Sequence, residues 1–150
     1  MHKNMYLNLG FMTVLMFVAM FILMYAMVDV FADVYPNINQ FYMAALMTAP
    51  MILIEIVLMW SMYKNAQANM AILALSAIVG IASFAAIRQQ TAVGDTQFLK
   101  SMIPHHSGAI LMCREATIQD PRIKELCRTI TAGQKSEIEK MKAILSSLEK

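Results

Sequence analysis

Charged residues are scarce in the first 90 positions of this 150-residue chain. Of its 12 Lys and Arg and 10 Asp and Glu residues, only three of each group lie there. They are Lys3, Lys64 and Arg88, and Asp29, Asp33 and Glu55. Because a soluble domain carries about a quarter of its residues as charges, this scarcity argues against an ordinary soluble fold for that part.

The chain also lacks the motifs of common enzyme classes. It has no glycine-rich phosphate-binding loop, no Ser/His/Asp arrangement and no pair of histidines at the i, i+4 spacing of zinc proteases. No basic stripe interleaved with aromatic residues runs along it, which argues against a nucleic-acid partner. We therefore predict a protein that is not an enzyme and does not bind nucleic acid.

Three long apolar runs occupy the region where charge is missing: residues 7–28, 41–62 and 70–87. As helices they would span roughly 33, 33 and 27 Å, against a hydrocarbon core of about 30 Å. We predict an all-α protein with three transmembrane helices in a membrane domain over residues 1–90. The first run is too long for a signal peptide, so we expect it to be an uncleaved anchor.

Lysine and arginine in the short loops predict the orientation. The N-terminal end carries Lys3 and the second loop carries Lys64, whereas the first loop has neither residue type. Cytoplasmic loops are enriched in these residues, so the N-terminus and second loop are predicted to be cytoplasmic, with Arg88 opposing weakly. After three spans the C-terminal domain lies outside, which for a bacterial inner membrane means the periplasm.

The charged C-terminal part divides at Asp120-Pro121. Asp is a favoured N-cap and Pro is favoured at the first helical position, so one helix is predicted over residues 95–119, capped by Asp95, and another over 121–148. Both have apolar residues at the three- and four-residue spacing of an amphipathic helix. We predict an antiparallel hairpin domain over residues 95–150.

Two helices cannot cover the apolar residues of this domain. Phe98, Ile110 and Met112 are among those left over. We therefore expect the hairpin to be half of a four-helix bundle that self-association completes, giving a dimer or higher homo-oligomer, or else to pack on its own membrane part.

A turn at Asp120 sets residues at equal distances from it opposite one another. Cys113 then faces Cys127, and His106 faces Gln134. In the periplasm the cysteines could form a disulfide, whereas in a reducing compartment they could be buried thiols or thiolate ligands of a redox-sensitive metal site.

Soft metal donors are concentrated in the first of these helices. Met102 lies one turn before both His105 and His106, and Met112 lies two turns beyond His105. Thioethers favour Cu(I), and imidazole suits copper and zinc. Adjacent histidines point about 100° apart, so a partner helix must complete any site. The alternative is a polar network in which His106 bonds Gln134.

Methionines also form stripes in the apolar runs. Met43, Met47 and Met51 follow one side of the second run, with Glu55 on the same line. An ionisable group inside a span indicates a functional site, so these residues are a candidate membrane route for Cu(I) or Ag(I). The alternative is that the methionines fill helix contacts as adaptable apolar residues.

One segment resembles a known family. The residues that show the resemblance are Phe98-Leu99-x-x-Met102-Ile-Pro-His105-His106-x-x-Ala109-x-x-Met112 and Gln134-x-x-Glu137-Ile138-x-x-Met141. Over about residues 95–148 the chain resembles the bacterial family called domain of unknown function 305. The resemblance implies a ferritin-like four-helix bundle and copper binding in the periplasm. It makes copper-ligand candidates of Met102, His105, His106, Met112 and Met141.

These patterns predict a membrane-anchored protein that binds copper for periplasmic buffering, delivery or resistance, with copper-handling proteins as partners. One alternative is a small oligomeric copper or silver transporter that uses the membrane methionines. Another is a helical interaction module whose histidines are structural.

Overall fold

The computed structural model describes the backbone of residues 3–149 and the side chains of residues 5–149. The Lys3 side chain, which carries part of the predicted orientation, and residues 1, 2 and 150, which end the two predicted domains, lie outside the described residues. The described chain is all-α and contains no strand. Its five helices are α1 (Lys3–Leu23), α2 (Ile38–Leu58), α3 (Ala66–Gln89), α4 (Asp95–Glu115) and α5 (Pro121–Leu148).

The first three helices are long and apolar enough to cross a membrane. The candidate spans are Met5–Met27, which includes a 3₁₀ turn after α1, then Ile38–Leu58 and Ala66–Gln89. The structure divides the chain into two compact units, and Met1–Met24 with Asn39–Thr91 form the first. Few side chains of these spans are buried, and an exposed apolar surface of this extent marks contact with lipid or protein.

Small residues bring α2 and α3 together in the first unit. A Cβ atom placed on Gly80 would lie 3.4 Å from the Cβ atom of Ala49, which is ordinary van der Waals contact. Ser76 and Ser83, which flank Gly80 by about one turn, are buried. Such small residues allow close helix approach where no hydrophobic force acts between helices in lipid.

The second unit consists of Tyr25–Ile38, the first loop, with Ala92–Lys150. Its core is formed by Leu99, Ile103 and Ile110 of α4 with Ile138 and Leu145 of α5. The sequence predicted the loop within a membrane domain, whereas here it packs with the C-terminal helices. Local sequence does not reveal this packing, because the loop is held by ion pairs of Asp29 and Asp33 with Arg114 and Lys142, which are far away along the chain.

Helices α4 and α5 contact each other along their length in opposite directions. A disulfide joins Cys113, near the end of α4, to Cys127, near the start of α5, with their Cα atoms 5.3 Å apart. At the other end, the Lys100 Nζ atom lies 2.7 Å from Glu149 Oε1.

The predicted bounds of α5 and the predicted start of α4 at residue 95 hold, whereas the predicted end of α4 is wrong. Asp120 caps α5 by accepting a hydrogen bond of 2.8 Å from the Arg122 backbone N–H, and hydrogen bonds from Arg122 lower the pKa of the Asp120 carboxyl. The α4 helix ends at Glu115, four residues early, where Ala116 turns to an extended conformation. Its N-cap is Gly94, so the prediction of Asp95 as the cap was wrong; Asp95 lies in the first turn, where a carboxylate favours the helix dipole.

Candidate metal-binding site

His106 links α4 to α5 through both of its ring nitrogens. Its Nδ1 atom lies 2.9 Å from the backbone oxygen of Met102, one turn earlier on α4. Its Nε2 atom lies 2.8 Å from Oε2 of Glu137 on α5. The His106 side chain is 11% exposed, so its orientation is held by surrounding atoms, whereas that of Glu137 is 56% exposed.

These two contacts determine which ring nitrogen of His106 carries a proton and which one faces an acceptor. A backbone carbonyl only accepts hydrogen bonds, so the Nδ1 atom of His106 carries a proton that it donates to Met102. In the neutral ring the Nε2 atom then presents a lone pair, and it faces a carboxylate oxygen of Glu137, which also only accepts. Two such acceptors at 2.8 Å require a positive species between them. A proton between the two atoms meets this need at 2.8 Å. A metal ion, whose bonds to N and O are each about 2 Å long, would take its place once the exposed Glu137 side chain moved aside.

The predicted contact of His106 with Gln134 is wrong, because the ring contacts Glu137 three residues further along α5. Side chains on a helix tilt towards its N-terminus. In an antiparallel pair His106 therefore leans away from the turn, and the α5 side chain that meets it leans back towards the turn. Long side chains then meet about one turn beyond the position that equal Cα heights predict, whereas the short cysteines meet at equal heights.

Further donors lie close along the same two helices. Met102 is half-buried one turn before His106, and Met141 is half-buried one turn after Glu137, packed on the core of the second unit. Gln134, one turn before Glu137, has a buried Oε1 atom without a hydrogen-bond partner in the described part of the chain. An unsatisfied buried oxygen calls for a donor or a cation.

His105 and Met112 lie elsewhere. Both are exposed, and their seven-residue spacing places them on one face of α4, together with Phe98 seven residues earlier. The His105 ring centroid is 6.0 Å from that of His106. Of the five predicted copper ligands, the structure thus places Met102, His106 and Met141 beside the contact of α4 with α5, and His105 and Met112 on an exposed surface.

The chemistry of the donors limits which metal can fit. Across residues 3–149, no group of three or more His, Cys, Asp or Glu side chains is placed to hold a metal ion. A site at His106 and Glu137 therefore has to include thioether sulfur or the Gln134 amide oxygen. Thioether ligands select soft ions such as Cu(I).

Sequence reasoning did not name Glu137 and Gln134 as ligand candidates. Both belong to the motif quoted for the family resemblance, and their spacing places them on one face of α5. The side-chain tilt described above is the signal that would have brought Glu137 to His106.

The membrane residues singled out earlier are spread over the surface and interior of the first unit. Met43 and Met47 are exposed on α2, at 39% and 40%, whereas Met51 and Glu55 are half-buried. The carboxylate of Glu55 accepts a hydrogen bond of 3.2 Å from the Tyr63 hydroxyl. Since the two exposed methionines point out of the unit, a route that includes them has to be completed by another molecule.

Comparison with known proteins gives one family and a viral relative. Residues 57–145 match the family described as Domain of unknown function (DUF305). The match begins near the end of α2, includes all of α3 and covers the expected C-terminal part as far as residue 145. The chain is 39% identical over 111 residues to "Uncharacterized protein L153" of Acanthamoeba polyphaga mimivirus, which covers 73% of this chain and 71% of the relative. No solved structure matches. The protein therefore belongs to the DUF305 family.

Proposed function

We propose that this protein is a membrane-anchored copper-binding protein whose site lies between α4 and α5. The observation that carries the proposal is the orientation of His106, whose Nδ1 proton is directed to the Met102 carbonyl while Nε2 faces Glu137. A metal-ligating histidine usually donates its other ring N–H to a carbonyl or carboxylate, which fixes the tautomer. Here Nε2 would be the nitrogen that binds the metal, after the exposed Glu137 carboxylate moves away from it.

The donors around this nitrogen favour copper over zinc. Met102 would supply a thioether from one turn earlier on α4, and Met141 would supply another from α5. Structural zinc sites use four His, Cys or carboxylate ligands, and the described residues do not gather even three. Copper bound here would be buffered or handed to copper-handling partner proteins, which also serves resistance.

A second copy of the chain would complete the arrangement. Helices α4 and α5 form one antiparallel hairpin, half of a ferritin-like four-helix bundle. Phe98, His105 and Met112 lie exposed on one face of α4 and would line the contact between copies. There, His105 and Met112 would add an imidazole and a thioether to the copper ligands.

We place the protein in a bacterial inner membrane, with its N-terminus in the cytoplasm and its C-terminal helices in the periplasm. Three candidate spans put the first loop and the C-terminal part on the same side of a membrane. Their packing in one unit supports this arrangement, and so does the disulfide, since such bonds persist in oxidising compartments.

The test is a metal titration of the intact protein in detergent. Cu(I) is expected to bind more tightly than Zn(II) and to raise the melting temperature, because an ion that binds only the folded state stabilises it. His106→Ala is expected to weaken binding of both copper oxidation states. Met102→Leu, which keeps the apolar volume but removes the sulfur, is expected to weaken Cu(I) binding selectively.

Met70→Leu is the matched control, because Met70 is an exposed methionine of the first unit and far along the chain from these donors. Unchanged Cu(I) affinity in Met102→Leu would remove the thioether from the site. Normal copper binding in both His105→Ala and His106→Ala would leave the helical interaction module as the better account.

The alternative is a copper or silver transporter whose route runs between copies of the first unit. The exposure of Met43 and Met47 on α2 favours such a shared route over one inside a single chain. Uptake or efflux of Cu(I) by protein-containing vesicles that is lost in Met43→Leu/Met47→Leu, yet kept in His106→Ala, would favour it.

A further inference from the structure

A cleft of about 780 Å³ opens beside the disulfide, at the end of the second unit where α4 meets α5. Both Cys113 and Cys127 line it, and both are only half-buried. A volume of this size accommodates a small organic molecule. The sulfur atoms are therefore within reach of a compound that enters from solvent.

The cleft is basic. Arg114, Lys124, Arg128 and Lys135 line it, against Asp29 as an acidic residue. The two arginines are neutralised, since Arg114 pairs with Asp29 and Glu115, and Arg128 pairs with Glu125.

The two lysines provide the uncompensated charge. Neither the Lys124 nor the Lys135 ammonium group makes an ion pair within residues 5–149, and both side chains are exposed. Their positive potential would attract an anion into the cleft. The cleft thus combines an attraction for negative charge with an accessible disulfide.

We propose that this cleft binds a small thiol compound that carries carboxylate groups, and that the bound thiol exchanges with the Cys113–Cys127 disulfide. The lysines would hold the carboxylates of the incoming thiol beside the disulfide.

The exchange proceeds in two balanced steps. The thiolate sulfur of the first compound bonds to one cysteine Sγ atom, the protein S–S bond breaks, and its electron pair remains on the other cysteine, which takes a proton from water. A second thiolate then attacks the sulfur of the bound compound and displaces the first cysteine, which is protonated in turn. The compound leaves as its disulfide dimer, and the protein is left with two thiols.

The test uses the full chain in detergent and three thiols of different charge: glutathione, which is anionic, 2-mercaptoethanol, which is neutral, and cysteamine, which is cationic. The chain has two cysteines, both in this disulfide, so alkylation of new thiols reports its opening without ambiguity. Rates are divided by the thiolate fraction of each reagent. The wild type is expected to react about tenfold faster with glutathione than with cysteamine, and high salt should shrink this ratio.

Lys124→Gln/Lys135→Gln is the diagnostic variant, and Lys140→Gln, an exposed lysine of α5 outside the cleft, is its control. The double variant is expected to lose about threefold in glutathione rate per lysine, with little change for 2-mercaptoethanol. That neutral rate also shows whether the variant is folded with the same access to the disulfide. Equal rates for the three thiols in the wild type would overturn the proposal, as would a glutathione rate that the double variant and the control leave equally unchanged.

Discussion

Asp33 is a buried carboxylate that ties the first loop to α5. It is 3% exposed, and the Lys142 Nζ atom donates to its Oδ1 at 2.5 Å. A charge taken out of water is tolerated when it is paired, and it becomes costly once its partner is removed. This ion pair is the clearest single contact between the loop and the C-terminal helices.

Lys142→Met is therefore expected to destabilise the protein by about 3 kcal/mol, because it leaves the Asp33 carboxylate buried without its partner. The measurement is the melting temperature of the detergent-solubilised protein. Lys140→Met is the control, since Lys140 is an exposed lysine half a turn away on the same helix and its loss should change stability by under about 0.5 kcal/mol. Equal melting temperatures for the two variants would mean that the pair contributes nothing.

For single residues, the sequence indicates which side chains can react or bind, but it does not indicate several of the side chains that they contact. His106 was singled out by its neighbours in the chain, yet its acidic partner Glu137 depends on how side chains tilt across two helices. Asp33 and Lys142 lie 109 positions apart, and no local pattern joins them. The contact of Cys113 with Cys127 is predictable from their equal distances to the turn at Asp120, because short side chains meet at equal heights.

Pro104 interrupts the hydrogen bonding of α4, and a side chain of the first loop supplies the missing donor and so repairs the gap. Without an N–H group, Pro104 leaves the backbone oxygen of Lys100 without its usual helical donor. The Asn37 side-chain amide of the loop lies 3.3 Å from this oxygen. The Asn37 Oδ1 atom in turn accepts a hydrogen bond of 3.1 Å from the Ser101 hydroxyl.

A double-mutant cycle tests this repair. Asn37→Ala is expected to cost about 1–3 kcal/mol in the wild type, because it leaves polar groups of the helix without partners. In a Pro104→Ala background, residue 104 regains the N–H group that bonds the Lys100 oxygen, so the same change should cost less. Melting temperatures of the four proteins give the coupling, and strictly additive effects would show that Asn37 does not serve the gap at Pro104.

At the scale of helices, the sequence predicted the elements better than their ends. Asp120-Pro121 marked the start of α5 because both residues have a specific role at a helix N-terminus. No comparable signal marks the end of α4, so the sequence predicts that it continues almost to Asp120-Pro121, although the helix stops at Glu115. The three long apolar helices were predictable because length and hydropathy alone define a candidate span.

The exposed face of α4 leads to an expectation for the assembled protein. Phe98 is 50% exposed and Met112 is 54% exposed on this face. We expect the intact protein to be a dimer or higher oligomer in detergent, with α4 at the contact. Phe98→Glu should shift it towards the monomer in light scattering, because a charge would be buried between copies.

Ile144→Glu is the matched control, since Ile144 is 51% exposed but lies on α5. A monomeric wild type would contradict the expectation. So would dissociation by Ile144→Glu with no effect of Phe98→Glu, which would place the contact on α5.

Orientation in a membrane is a second property of the whole chain. The first loop and the C-terminal helices belong to one unit, and the lysine bias predicts that they lie outside the cytoplasm. A reporter enzyme fused after Lys150 and active only outside the cytoplasm should therefore be active in bacteria that express the fusion. Efficient activity of a cytoplasmic reporter at the same position would reverse the orientation and remove the oxidising compartment that the disulfide favours.

In the proposed site, copper is bound between α4 and α5 by imidazole and thioether ligands. X-ray absorption at the copper edge, on the intact protein loaded with one Cu(I) ion, identifies those ligands directly. We predict both nitrogen and sulfur scatterers for the wild type, reduced sulfur scattering in Met102→Leu, and loss of the bound ion in His106→Ala. A spectrum that lacks imidazole nitrogen, or one that both variants leave unchanged, would contradict the account.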